Sequence, residues 1–112
     1  MLFDQFVQEA WRDHAQDTKA VAARLRGARE LMTTPAHASP LSRLIVHVFG
    51  EHLGDWDSGE RELQRLQQHP LCAHDALAQS ALRMAQAALQ CARGLPIAVA
   101  NLTPPERIGA LC

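Results

Sequence analysis

The sequence predicts an all-α fold of antiparallel helix pairs, and three features carry that prediction. Alanine, the strongest helix former, occurs 19 times in the 112 residues. Apolar residues recur at the i, i+3, i+4 spacing of amphipathic helices. Prolines and glycines fall where such helices should begin or end, as at Pro40, Gly54, Pro70 and Gly94.

Each helix can be justified in order. Phe3, Phe6, Val7, Ala10, Trp11 and Ala15 form one apolar face, with Asp4, Gln8, Arg12 and Asp13 opposite. Asp17 is the expected cap of a second helix running to Met32 and burying Val21, Leu25, Ala28 and Met32. The segment TTPAHASP reads as a linker. Ser39 is then the expected N-cap, with Pro40 at the first helical position, where its missing N–H costs nothing. That third helix should bury Leu41, Leu44, Ile45, Val48 and Phe49 and stop at Gly54. Asp55 or Asp57 caps a fourth, with Trp56, Gly59, Leu63 and Leu66 on one narrow face and Pro70 beyond its end. A fifth helix over about 73–93 has a thin polar row and is otherwise Ala, Leu, Met or Cys, so it should lie between neighbours. Thr103, Pro104 and Glu106 mark one more start.

Length fits one domain, 1–112. A net charge of −1 leaves no nucleic-acid or acidic-lipid footprint. No segment approaches the ~20 apolar residues of a membrane span, and MLFDQFVQEAW lacks the pattern of a secretory leader. Cys72, Cys91 and Cys112 are odd in number and lack CxxC spacing, which suggests reduced thiols and a cytoplasmic location. Ten of the eleven basic residues are arginine, a bias that points to a GC-rich, bacterial coding sequence.

Pro35, Pro70 and Pro105 are spaced by 35 residues. The same period aligns Trp11 with Val46 and Ala81, His14 with Phe49 and Met84, and Ala15 with Gly50 and Ala85. Units of 1–35, 36–70 and 71–112 follow. Within the second, GDWDSGERELQRLQQHP resembles the back half of a tetratricopeptide repeat. The resemblance rests on Gly54, Asp55, Trp56, Gly59, Leu63, Leu66 and Pro70. It implies a short right-handed α-α superhelix, and because these are packing positions it implies no binding specificity.

No glycine-rich phosphate loop, nucleophile elbow or paired catalytic carboxylates occur, so no enzyme activity and no cofactor are expected. His47 and Glu51 lie one turn apart and His52 follows, which could hold a metal. Only two ligands share a face, however, and no His-Glu-x-x-His or Glu-x-x-His pattern occurs, so they read as a solvated i, i+4 contact. His14 falls on an apolar face and reads as a satisfied core histidine. Lys19, Arg24, Arg26 and Arg29 read as a solvated basic face, and Trp11 and Trp56 as core.

What remains is the inner surface of a stack. First helices of stacked hairpins line a concave face that can hold a peptide or partner helix. The expected rows are Arg12, then Arg43, His47 and Glu51, then Gln79, Arg83, Gln86 and Gln90. Arginine and glutamine donors suit a backbone or a carboxylate. The expectation is a non-enzymatic adaptor or chaperone-like module with a protein or peptide partner. A helical metal- or substrate-binding enzyme component and a structural homo-oligomer are the alternatives. Ile108 and Leu111 share a face on a very short last helix, which raises the prospect of a homodimer through that end.

Overall fold

The apolar stripe of residues 3–10 becomes α1, Phe3–Asp13, with Phe3, Phe6 and Ala10 buried. The computed structural model describes residues 2–94. Among these the protein is all-α, with no strand. After a tight corner, Asp17 accepts a hydrogen bond from the Ala20 N–H at 3.4 Å and starts α2, Thr18–Leu25. The second helix is thus shorter than expected. Gly27 sits at φ −104°, ψ 0°, and the chain tightens into a 3-10 turn over Ala28–Leu31. That turn still delivers Ala28 and Met32 to the core beside Val21 and Leu25.

The expected Ser39 cap also moves. Thr34 caps a 3-10 turn over Pro35–His37, with Pro35 at its first position, and α3 follows directly over Ala38–Ile45. The cap-then-proline logic holds, but the sequence offers it twice and the earlier copy wins. The Ser39 carbonyl instead accepts from the Ser42 hydroxyl at 2.8 Å. Leu41, Leu44, Ile45, Val48 and Phe49 are all buried, each worth roughly 1.5–3 kcal/mol relative to exposure.

Beyond Ile45 the helix widens. Residues Val46–His52 form a π-helical turn, and the Leu53 N–H donates to the Val48 carbonyl at 3.1 Å, a bond spanning five residues. Gly54 then reverses the chain at φ +64°. Of the two possible caps the structure selects Asp55, which accepts from the Ser58 N–H at 3.3 Å and opens α4, Trp56–Gln68. A Cβ at Gly59 would lie 3.2 Å from the Phe49 Cβ, so this glycine lets α4 approach the π turn closely. A cap at Asp75, accepting from the Ala78 N–H at 2.9 Å, starts α5, Ala76–Arg93, which Gly94 ends at φ +84°. As expected, α5 packs on α3 and its π continuation and also on α4.

One buried acid joins the two halves. Glu62 on α4 accepts from Arg29 at 3.2 Å and Arg65 at 2.8 Å, fastening the 3-10 turn of 28–31 to α4. Cys72 is a buried free thiol, and Cys112 lies outside the described residues. No helix among the described residues is long and apolar enough to cross a membrane. The helix expected from Thr103, and with it self-association through Ile108 and Leu111, lies outside the described residues.

Candidate functional site

Three helices leave a cleft of about 410 Å3 between them. From α5 come Ala81, Met84, Ala85 and Ala88, whose small side chains make a shallow apolar wall. From α3 and its π continuation come Ser39, Ser42, Arg43, Val46, His47 and Glu51, and α1 contributes Trp11. Trp11, expected in the core, is 40% exposed at this rim.

The expected binding row does not stay together. Arg43, His47 and Glu51 all line the cleft. Arg12 is exposed on α1 and spends its guanidinium on Asp13 at 2.8 and 3.1 Å, and that hydrogen bond holds the Asp13 carboxyl below its usual range. Gln86 and Gln90 face a separate depression on the α4 side, beside Trp56 and Glu60. Gln86 and Gln67 exchange amide hydrogen bonds at 3.2 and 3.3 Å. Gln79 donates to the carbonyls of Gln67 and Cys72 at 3.1 and 2.9 Å, pinning the end of α4 to α5. Arg83 is half-buried on α5 and belongs to neither lining. The glutamines are therefore largely structural, because α5 is covered on both sides and its polar row is used to bond neighbours.

At one end of the cleft is an arrangement that sequence spacing did not suggest. His47 Nε2 lies 3.0 Å from His14 Nε2 and 3.0 Å from His52 Nε2. One nitrogen from each ring falls within 4.8 Å of the others. Two rings are held from behind. His14 Nδ1 is 2.6 Å from the Trp11 carbonyl oxygen, and His47 Nδ1 is 2.5 Å from Glu51 Oε2. Trp11 packs against both, its ring centroid 5.1 Å from His47 and 5.4 Å from His14. His14 and His47 are half-buried and His52 is exposed.

The π turn creates this cluster. At about 100° per residue, positions 47 and 52 of a regular α-helix would point about 140° apart. The wider turn of 46–52 rotates His52 back onto the face of His47. Such turns are rare and concentrate at functional sites. His14 arrives from 33 residues away through the packing of α1 on α3. The His47–Glu51 contact was legible as an i, i+4 pair. The only sequence signal for the rest was the abundance of histidine around 47–52, with nothing to specify His14. Compared with family models, curated proteins and solved structures, the chain matches none.

Proposed function

We propose that the protein is a non-enzymatic interaction module that binds a peptide or partner helix in the cleft between α1, α3 and α5. The observation that carries this reading is the cleft's construction, an alanine-rich wall opposite a rim bearing both charges. Alanines let a partner backbone approach closely, and a half-exposed tryptophan is the type of side chain that anchors interfaces. Arg43 supplies planar donors for a carboxylate or a backbone carbonyl. In this reading the tetratricopeptide-like stretch 54–70 is the back half of one hairpin of a degenerate right-handed stack, with α5 opening a third unit. It is supported by what those positions do locally: Gly54 turns the chain, Asp55 caps and Gly59 allows close packing. A cytoplasmic protein partner belongs to the same proposal.

Ala88→Arg tests it, because Ala88 lines the cleft from a half-buried position. Capture of native partners should be lost, whereas Ala23→Arg, at an exposed position on α2, should capture as wild type. Undiminished capture by a folded Ala88→Arg protein would remove the cleft as the binding face.

A further inference from the structure

We infer that His14, His47 and His52 form a binding site for one divalent first-row transition-metal ion of the zinc class. His47 and Glu51 also line the cleft, but metal uptake by the free protein requires no partner there.

Proton bookkeeping on the rings leads to this. His14 Nδ1 faces a carbonyl oxygen and His47 Nδ1 faces a carboxylate oxygen, and both partners are acceptors. Each of these nitrogens therefore carries the ring proton, which leaves the neutral ring's lone pair on Nε2. Those two Nε2 atoms point at each other from 3.0 Å, with the Nε2 of His52 3.0 Å from that of His47. Facing lone pairs repel unless something positive lies between them. A proton on His47 Nε2 could bridge to one neighbour at a time. A metal ion accepts all three.

The spacing suits the ion. Nitrogens bound at about 2.0–2.1 Å to a tetrahedral metal are separated by about 3.3 Å. Two of the separations here are 3.0 Å and the third lies within 4.8 Å. Because His52 is exposed, its ring can rotate to close the remaining distance without disturbing the core. Imidazole nitrogens select zinc, copper or nickel over magnesium or calcium, which take oxygen ligands. The backing of His14 by a carbonyl and of His47 by Glu51 is the outer-shell arrangement that fixes the tautomer and raises the basicity of metal-binding imidazoles. Glu51 is thus a positioning residue. Three protein ligands leave a fourth position for water. The remaining described histidines lie elsewhere. His37 stacks on Phe3 with centroids 3.8 Å apart, His69 Nδ1 accepts from the Leu71 N–H at 3.1 Å, and His74 is exposed just before α5.

Calorimetric titration of the untagged full chain with zinc chloride tests the proposal. One equivalent should bind saturably and raise the melting temperature. His52→Gln, at an exposed position where folding is not at risk, should weaken binding at least about tenfold with an unchanged metal-free melting temperature. His14→Gln should weaken binding by a similar factor. Glu51→Ala should weaken binding about 10–100-fold while keeping one-to-one stoichiometry, and Glu51→Gln, which retains an acceptor oxygen, should lose less. Absence of saturable one-to-one uptake by the wild type would overturn the assignment. So would undiminished affinity in the His52→Gln protein.

Discussion

Asp55 illustrates how much one side chain decides at the residue scale. Hydrogen bonds from Ser58, first its hydroxyl and then its N–H, hold the Asp55 carboxyl below its ordinary range. A carboxyl whose pKa is lower in the folded than in the unfolded state stabilises the fold above the unfolded value. That contribution disappears as pH falls through the folded value. Asp55→Asn keeps a capping oxygen but cannot titrate, so its melting temperature should fall less between pH 7 and about pH 3 than that of the wild type. An identical acid-side slope would mean that Asp55 does not cap in solution. At Cys72 the perturbation runs the other way. Burial, and secondarily the charge of Asp75, pushes the thiol up from its ordinary value. Cys72 should therefore resist alkylation in the native protein and react readily only after unfolding, as mass spectrometry of labelled peptides would show. Fast native-state labelling would contradict its burial.

At the element scale, Gly27 and Gly54 make a controlled pair. A Cβ at either position meets nothing within 4 Å, but only Gly54 has a positive φ, at +64°. Gly54→Ala should cost about 1–2 kcal/mol through backbone strain alone. Gly27→Ala should be neutral or stabilise by about 0.4–1 kcal/mol through the unfolded chain. Urea denaturation distinguishes the two, and equal effects would disprove the left-handed turn before α4. The Asp17 cap, the glycine stops at Gly54 and Gly94 and the buried stripes at 3–10 and 41–49 were legible in the sequence because each depends on residues within one or two turns, whereas the Ser39 cap lost to Thr34. The break of α2 at Gly27 and the π turn at 46–52 were not legible. Both are local losses of regular hydrogen bonding that tertiary packing offsets, as where Gly50 leaves room for Leu89 and Trp56, atoms a Cβ would meet at 2.8 and 3.2 Å.

At the scale of the whole molecule, α5 is the common wall. Leu82 is fully buried on it, whereas Leu77 is 83% exposed. Leu82→Ala should cost about 2–5 kcal/mol, and Leu77→Ala should change stability by under about 0.5 kcal/mol. Similar losses at both positions would mean that α5 is covered on a different side. The two-sided burial of α5 was readable from its thin polar row, but which neighbour each glutamine would serve was not. Gln79 and Gln86 were expected on an open groove and instead bond α4 or the turn after it. The histidine cluster was illegible for a similar reason. It joins positions 33 and five residues apart through helix packing and one non-α turn, and neither leaves a period in the sequence.

Histidine tautomers report most directly on how the end of α1 meets the π turn, where Trp11 and His14 contact His47. Long-range ¹⁵N–¹H correlation spectra of the metal-free protein should show His14 and His47 protonated on Nδ1, as their Trp11 carbonyl and Glu51 partners require. On addition of one equivalent of zinc, the Nε2 resonances of residues 14, 47 and 52 should shift together, while those of His37, His69 and His74 stay in place. Spectra in which His14 and His47 are protonated on Nε2, or in which the three rings respond to zinc at different stoichiometries, would contradict the arrangement of α1, the π turn and the site they form.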